Sequence, residues 1–410
     1  MTRFAAIGLD HRHVYDMTEG LLAAGAQCVG YNSDTTDPRV LAGFRKRFPR
    51  VPEASRERLL DDPSINFIVL SAVPCDRAAL AIEAMRRGKD VVSDKPGVTT
   101  LEQLNAVRQA VQETGRLWSV CVGRVASPAI QEAVRVVRSG ELGRLVQVVS
   151  LAPHRLNRAL RPSWFFDRPA YGGIINDIGV HSIDQFLALA DVPEVVIESS
   201  TIGTFGTEPE GFEDFAEMTL RTGSVRGYCR VDWFTPDGLP TWGDGRLFLV
   251  GTEGTLELRK NLDIEGRNGS NHMYVAGRNQ TRYMDCSQLP VTYFRDVVDA
   301  VRTRDFAALS QEAVFTAVSY THLDVYKRQG QGSAGLRPER DGPQGGTARL
   351  DPTTFGPIDQ GSTAQRAVPP DPTCGVSSKR CPLLFEVRPP RPHDAGGSRP
   401  RARPGGCGSM

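Results

Sequence analysis

The sequence predicts an α/β protein with two domains: a doubly wound parallel sheet, followed by an α+β domain with a large, mainly antiparallel open sheet. Strand and helix patterns alternate through the first 122 residues, as in successive βαβ units. Later, apolar and polar residues alternate with a period of two, which is typical of a sheet with one buried face. The expected domain limits are 1–122 and 123–317.

The first domain begins with an apolar strand at 4–9, a helical pattern through Val14, Met17 and Leu21, and a second strand at 28–31. Further strands are expected at 67–73, 90–93 and 117–122, and helices at 77–87 and 101–113. A glycine follows each of these two helices, as is usual at a helix end. Ligands of such sheets bind at the carboxyl ends of the strands, so the loops there are the candidate site.

The loop after the first strand has a single glycine, Gly8, where a dinucleotide fingerprint has three. Asp10 stands where backbone would approach a pyrophosphate, and its charge is unfavourable there, although His11, Arg12 and His13 could offset it. Two interpretations stay open: a cofactor-binding loop, or an ordinary loop in which Asp10 caps the next helix.

The end of the second strand offers Ser33, with Asp34 one residue on. An acid at this place usually accepts a hydrogen bond from the ribose of NAD. Both residues are candidate cofactor ligands, and the pattern excludes neither NAD nor NADP.

Asp94-Lys95-Pro96 follows another expected strand. Because proline pushes the preceding residue toward extended geometry, Lys95 should be held at the ligand edge of the sheet. The alternative is an ordinary surface lysine.

The second domain is predicted to start with a helix at 129–139 and a turn at 140–143. Alternating patterns at 216–220 and 256–259 indicate strands. The segments 246–250 and 255–259 flank Gly251-Thr-Glu-Gly254, which indicates a hairpin.

The segment 172–184 places Asp177, His181 and Asp184 at helical spacing, so all three are expected on one face pointing into one cleft. A titratable imidazole beside carboxylates is suited to acid–base chemistry. A structural histidine is the alternative. Gly179 lacks a Cβ, which would allow close approach of a ligand or of the sheet.

Composition excludes several classes of function. The net charge of +1 indicates no nucleic-acid partner, and no apolar run is long enough to span a membrane. The eight cysteines form no Cys-x-x-Cys pair and the histidines do not cluster, so neither a zinc site nor a disulfide framework is expected. A cytoplasmic location fits this cysteine usage and the absence of an export leader.

The chain changes character near its end. Residues 318–329 resemble the translation of two sequencing-library adaptors joined head to head, so we interpret them as a foreign scar that interrupts a native helix after 317. Residues 330–410 contain 14 Gly and 13 Pro among 81 residues. A segment of this composition has too little apolar content to form an ordered core. We expect 318–410 to be an artefactual or disordered tail.

The combined motifs resemble the Gfo/Idh/MocA family of NAD(P)-dependent oxidoreductases over about residues 3–317. The resemblance rests on Gly8, Gly88-Lys89, Asp94-Lys95-Pro96, the turn at 140–143, the segment 172–184 and the segment 251–258. The loop 8–13 and Ala72-Val73, where the family often has Thr-Pro, are departures, and Asp94 replaces a usual glutamate.

The resemblance implies a catalytic centre of Lys95, Asp177 and His181. It implies that His181 is the base and that Lys95 stabilises a developing alkoxide. Asp177 would orient the imidazole or bind a substrate hydroxyl. It also implies a homodimer or homotetramer formed through the second sheet. The loop between the first strand of that sheet and the His181 helix offers Arg155, Asn157, Arg158 and Trp164 for substrate hydroxyls or a carboxylate. A solvated basic loop is the alternative there.

The implied activity is hydride transfer between NAD or NADP and a secondary alcohol or ketone of a sugar, inositol or similar molecule. An NAD-dependent glycoside hydrolase on the same fold and a non-catalytic binding or assembly protein are the competing hypotheses.

Overall fold

The computed structural model describes residues 1–122, 127–206, 209–309 and 311–329, with side chains in the last segment up to residue 321. Most of the predicted tail, residues 330–410, lies outside the described residues.

The first sheet is parallel throughout and has the strand order β2-β1-β3-β4-β5. This confirms the predicted doubly wound sheet. The strands are β1 (Arg3–Leu9), β2 (Gln27–Tyr31), β3 (Phe67–Ser71), β4 (Asp90–Ser93) and β5 (Trp118–Val120).

Five helices connect and follow these strands: α1 (His13–Ala23), α2 (Pro38–Arg47), α3 (Arg56–Asp61), α4 (Arg77–Arg86) and α5 (Leu101–Thr114). The side chains of Asp37, Ser55 and Thr100 cap α2, α3 and α5 by accepting from first-turn N–H groups. By contrast, α1 begins after Arg12 with no side-chain cap, and the N–H groups of Val14 and Tyr15 donate to the carbonyls of His11 and Arg12.

The second sheet has eight strands in the order β13-β12-β11-β10-β6-β9-β8-β7. All neighbours are antiparallel except β6 and β9, which confirms the predicted mainly antiparallel sheet. The strands are β6 (Leu145–Pro153), β7 (Val196–Gly203), β8 (Phe215–Thr222), β9 (Val225–Asp232), β10 (Arg246–Gly251), β11 (Thr255–Arg259), β12 (His272–Ala276) and β13 (Thr281–Asp285).

The inner face of this sheet is buried beneath helices α6 (Pro128–Arg138) and α8 (Val180–Ala190). A short helix α7 (Arg168–Tyr171) and a π-helical turn (Ile175–Gly179) lead into α8. Contact is close, because a Cβ on Gly179 would lie 3.4 Å from Met218 Cε of β8. This agrees with the expected close approach of the sheet.

The outer face of the same sheet carries a row of partly exposed side chains. Their Cα atoms are paired across seven strands. The row consists of Thr219, Tyr228, Val149, Phe248, Glu257, Tyr274 and Tyr283. Four of these seven residues are aromatic, so this face offers apolar area that the described helices leave uncovered.

Two later helices return to the first sheet. Helix α9 (Tyr293–Thr303) packs in the core around β1 and α1, and the Tyr293 and Ser119 hydroxyls lie 2.9 Å apart. Helix α10 (Gln311–Gln329) contacts α5, β5 and α8. Both helices thus contact elements of the first sheet although they follow the second sheet in the chain, and the expected limit at 122 stays a prediction.

Helix α10 also continues through the segment that we interpreted as a scar. Val318 is buried, and the Tyr320 hydroxyl accepts from the Val195 N–H at 3.0 Å. The expected end of the helical pattern after 317 is therefore wrong, whereas the foreign origin of 318–329 stays a prediction. No helix within the described ranges is long and apolar enough to cross a membrane.

Gly8 at the end of β1 has φ +67°, and a Cβ there would lie 2.4 Å from Ala72 Cβ. We expect Gly8→Ala to lower the free energy of unfolding by about 2–4 kcal/mol, since both a left-handed conformation and overpacking oppose the methyl group. Gly25→Ala is the matched control: its φ is +88°, but no heavy atom lies within 4 Å of the added Cβ. Urea unfolding of both variants measures their free energies of unfolding, and the larger loss for Gly8→Ala is the contribution of overpacking. Equal losses for the two variants would contradict this overpacking.

Candidate active site

A cavity of about 550 Å³ lies between the ligand edge of the first sheet and the second domain. The first domain lines it mainly with loop residues at strand ends: Asp10, His11, Arg12, His13, Asp37, Asp94 and Lys95. The second domain contributes His154, Asn157, Arg161, Trp164, Asp177, His181, Trp233, Trp242 and Lys260. The cavity therefore joins Lys95, Asp177 and His181, as the sequence predicted.

Lys95 is the central contact between the two domains. Its Nζ donates to Asp177 Oδ1 at 2.8 Å and to the Asp177 carbonyl oxygen at 3.1 Å, and both side chains are largely buried. Burial opposes ionisation of Asp177, but the charge and hydrogen bond of Lys95 outweigh it and lower the pKa of this carboxyl. The ammonium is thus held in place by an ionised partner.

The π-helical turn determines where Asp177 sits. Gly172 and Gly173 both have φ +92°, a conformation that favours glycine, and a Cβ on Gly172 would lie 2.5 Å from Asn176 Nδ2. Asn176 donates to the Val98 carbonyl at 2.8 Å and accepts from the Thr321 hydroxyl at 3.1 Å. The turn is therefore fixed from the first domain and from α10.

Two imidazoles line the second-domain side of the cavity. Burial, reinforced by the charges of Lys95 and Lys260, lowers the pKa of His181 well below its ordinary value. Burial likewise lowers the pKa of His154 to about 3, and its Nδ1 lies 3.0 Å from the Ala152 carbonyl oxygen. Both rings are neutral at pH 7, so His181 can accept a proton.

Asp184 does not join Asp177 and His181 at the cavity wall, which corrects the expectation that all three point into one cleft. It is buried elsewhere on α8. A second cavity is lined by His181, Ser182 and Gln185. Since each helical residue turns about 100°, Asp184 lies to one side of this face.

Asp94 connects the first-strand loop to the catalytic lysine. One carboxylate oxygen lies 2.7 Å from His11 Nδ1, the other lies 2.8 Å from His13 Nδ1, and Arg77 donates to the first oxygen at 3.1 Å. The second oxygen also accepts from the Lys95 backbone N–H at 2.7 Å. Burial alone would raise the pKa of Asp94, but the charges of His13 and Arg77 and the hydrogen bond of His11 hold it well below its usual range.

Burial, with the charge of His13, lowers the pKa of His11 to about 3. The neutral ring facing an ionised carboxylate must carry its proton on Nδ1. Donor atoms of His11, His13 and Asp94 lie within 4.8 Å of one another, so these three are the metal-binding candidates among the described residues. The sequence did not indicate this cluster because Asp94 is more than 80 positions from both histidines.

Asp10 lines the cavity but does not cap α1. Its Oδ1 accepts from the Thr36 N–H and hydroxyl and from the Thr35 hydroxyl, so the carboxylate is tied to the loop after β2. Neither sequence interpretation described this role. Ser33 and Asp34 are not at the cavity wall, where Asp37 and Val40 stand instead.

The loop after β6 divides into residues at the cavity and residues beside it. Asn157 and Trp164 line the cavity as expected. Arg155 instead donates to backbone carbonyls including that of Pro236 at 2.8 Å, and Arg158 lies over the Phe166 ring at 5.0 Å. These two arginines, predicted as substrate ligands, lie beside the cavity, whereas Arg161, which was not predicted, lines it.

Several further cavity residues were also overlooked: His154, Arg161, Trp233, Trp242 and Lys260. A signal existed for one of them, since Arg161 stands in the same basic loop as Arg158. Lys260 directly follows an expected strand, but strand periodicity alone cannot indicate which strand ends meet a cavity.

The first-domain side of the cavity fits a dinucleotide. The tight turn at Gly8 presses β1 against the β3 loop, and the uncapped start of α1 opens on the cavity beside Arg12. Free N–H groups at a helix start attract phosphate. The wall continues from Asp37 to Lys95, and the cavity volume is in the range of small-molecule and cofactor sites.

We expect Asp94→Asn to lower the free energy of unfolding by about 3 kcal/mol or more at pH 7, because Arg77, 1% exposed, would lose its carboxylate partner. Asp37→Asn is the control: Arg39 is largely exposed and asparagine caps helices equally well, so we expect a loss of under about 1 kcal/mol.

The Asp94 effect should depend on pH with a defined sign. Since its folded-state pKa lies below the unfolded value of about 3.9, the stabilisation is complete above that pH and is lost as the pH falls toward the folded pKa. The gap between wild type and Asp94→Asn in urea unfolding should therefore narrow below about pH 4. A constant gap would show that the charge of Asp94 does not stabilise the fold.

Two family models match the chain. The oxidoreductase family model, NAD-binding Rossmann fold, matches residues 37–122, and the GFO/IDH/MocA C-terminal domain model matches residues 130–257. The first match starts after the β1–α1 loop, so the departures at 8–13 lie outside it.

Individual relatives agree. A crystal structure from Erwinia carotovora atroseptica SCRI1043, described provisionally as an oxidoreductase, is 40% identical with a TM-score of 0.75 and covers 79% of this chain and 98% of that one. Scyllo-inositol 2-dehydrogenase (NAD(+)) of Bacillus subtilis is 24% identical over 72% of this chain and 86% of its own length. 1,5-Anhydro-D-fructose reductase of Ensifer adhaerens is 31% identical over 39% of this chain and 48% of its own length.

These matches agree with the two sheets and with the cavity between their domains. The chain belongs to the Gfo/Idh/MocA family and is an NAD(P)-dependent oxidoreductase.

Proposed function

We propose that the protein transfers a hydride between NAD or NADP and a secondary alcohol or ketone of a sugar, inositol or similar hydroxylated molecule. The observation that carries the proposal is the Lys95–Asp177 ion pair beside neutral His181 in one cavity. The names of the relatives, which act on inositol and anhydrofructose, support the substrate class.

His181 is the proposed base. Because its ring is neutral at pH 7, it can take the hydroxyl proton as the alcohol becomes a carbonyl. The cofactor, when bound, accepts the hydride at its nicotinamide ring. No other proton acceptor is needed for alcohol oxidation.

Lys95 is proposed to stabilise the developing alkoxide. An ammonium has three N–H donors, and Asp177 occupies two of them through its carboxylate and its carbonyl oxygen. The remaining donor is available to a substrate oxygen at no cost of reorganisation, because the lysine is already held. Asp177 is thus a positioning residue for Lys95.

Unpaired donors in the cavity wall support a hydroxylated substrate. The indole N–H groups of Trp164 and Trp233 are buried and have no hydrogen-bond partner among the described residues. Buried donors normally find an acceptor, and substrate hydroxyl oxygens would supply one. Asn157 adds an amide to the same wall.

For the cofactor, we propose that the turn at Gly8, the start of α1 and Arg12 hold the phosphates. His11 and His13 are expected to act through Asp94, since their Nδ1 atoms face its carboxylate. Ser33 and Asp34 stay candidates for the ribose, although Asp37 lies nearer the cavity.

We also infer a homodimer or homotetramer formed through the outer face of the eight-stranded sheet. The aromatic row from Tyr228 to Tyr283 supports this contact, because exposed apolar area on a sheet usually marks an interface. A cytoplasmic location is supported by the five described cysteines, all free thiols.

We expect Lys95→Met and His181→Asn each to lower kcat for the preferred alcohol by about 100- to 10,000-fold, as removal of acid–base or electrostatic groups does. Cofactor affinity, measured by fluorescence titration, should change little. Lys46→Met, at an exposed position on α2, is the control and should retain full activity. The assay follows reduced cofactor at its absorbance maximum over a panel of polyols and sugars.

Retention of turnover in both variants would show that the chemistry occurs elsewhere. Release of sugar from a glycoside without net formation of reduced cofactor would favour the hydrolase hypothesis instead.

The acid limb of kcat/KM for alcohol oxidation should lie below pH 6.5. His181 acts in its neutral form, and the folded protein lowers its pKa from the ordinary value near 6.5, so the active form persists to lower pH. A pH–rate profile for the wild type measures this. A limb at or above pH 6.5 would exclude His181, in this environment, as the base.

A further inference from the structure

The charges at the cavity wall are unevenly paired. The buried carboxylates of Asp94 and Asp177 have cationic partners, Arg77 and Lys95. Asp37 is likewise paired with Arg39, and Asp10 is bonded to threonine groups. The buried acids of the wall are therefore satisfied by the protein itself.

Two cations on the second-domain side of the cavity have no acidic partner in the part of the chain that the structure describes. Arg161 and Lys260 both line the cavity, and neither has a carboxylate within 4.0 Å among the described residues. Arg161 donates through Nε to the Leu156 carbonyl at 2.8 Å, and its Nη2 is buried without a hydrogen-bond partner. A cation enclosed without an anion is costly, so an anionic partner is expected beside the buried Nη2 of Arg161.

The surroundings of Arg161 restrict how that partner can approach. Its guanidinium carbon lies 4.2 Å from the ring centre of Phe165, 5.0 Å from that of Trp233 and 5.4 Å from that of Trp242. Aromatic rings cover the faces of the guanidinium, which leaves its N–H edge for a ligand. A planar carboxylate matches that edge.

Lys260 stands on the same side of the cavity. It shares the wall of the second, adjoining cavity with His154, His181 and Trp242. Lys260 is an exposed residue of the cavity wall. Burial lowers the pKa of Arg161 to about 10, so a nearby anion would favour its charged form.

We propose that the substrate is a polyhydroxy acid whose carboxylate is held by Arg161 and Lys260 while its hydroxyl is presented to Lys95 and His181. This inference rests on the proposed function and narrows its substrate class from neutral sugars to sugar acids. The phosphates of the cofactor are assigned to Arg12 and the start of α1, in the first domain.

The test compares matched pairs of ligands on the enzyme saturated with reduced cofactor. Calorimetry with D-glucuronate against D-glucose, and D-gluconate against D-glucitol, should show at least about tenfold tighter binding of the acids, as expected for charge-assisted hydrogen bonds. Binding is measured without turnover, so its result is separate from that of the kinetic tests of Lys95 and His181.

Lys260→Met and Arg161→Met should each reduce acid binding about 10- to 100-fold and leave the neutral sugars unchanged. Lys260 is the safer variant because its backbone makes hydrogen bonds that a substitution keeps, to the Gly245 carbonyl and from the Asn271 N–H, whereas the side chain of Arg161 packs on three rings. Arg226→Met, at an exposed position on β9, is the matched control and should change neither.

Three results would overturn the proposal: acids that bind no better than neutral sugars or not at all, Lys260→Met without effect on acid binding, or tighter binding of D-glucose 6-phosphate than of D-glucuronate. If Arg161→Met weakens cofactor binding as much as acid binding, Arg161 serves the cofactor and the carboxylate site is also wrong. Acid binding that depends on both cations, in an enzyme that forms no reduced cofactor, would sustain this site and contradict the proposed reaction.

Discussion

The buried carboxylate of Asp94 is the constraint on which the cavity depends. It receives the guanidinium of Arg77 from α4, the imidazoles of His11 and His13 from the first loop, and the backbone N–H of Lys95. One ionised group thus fixes the loop that faces the cofactor and the lysine that faces the substrate. Replacing Arg77 or Asp94 would leave the other charge buried without its partner, so this pair is expected to behave as a unit.

This cluster gives a common physical basis to two departures from the family pattern. Considered separately, the missing glycines at 8–13 weaken the expected binding of a dinucleotide, and aspartate in place of glutamate at position 94 is a mild change. In the fold, the two histidines that replace open backbone bind the carboxylate of that aspartate. The loop is therefore held by side-chain contacts to Asp94, and Asp10 connects it to the loop after β2.

The sequence was sufficient for the fold and for predicting that Lys95, Asp177 and His181 meet at one cavity, because periodicity and strand-end rules depend on local pattern. It failed where contacts join distant segments. The pairing of Asp94 with His11, and the arrival of Lys260 and Trp242 at the cavity, depend on how strands order themselves across the second sheet. Asp184 was misplaced because shared helical spacing was extended one turn too far, and α10 was shortened because its sequence was judged foreign.

The chain passes twice between the two sheets, once between β5 and α6 and again between β13 and α9. Lys95 belongs to the first domain and Asp177 to the second, so their ion pair joins the two domains at the cavity wall. The two side chains that are proposed to act on the substrate therefore also hold the two domains together at the place where the substrate would bind.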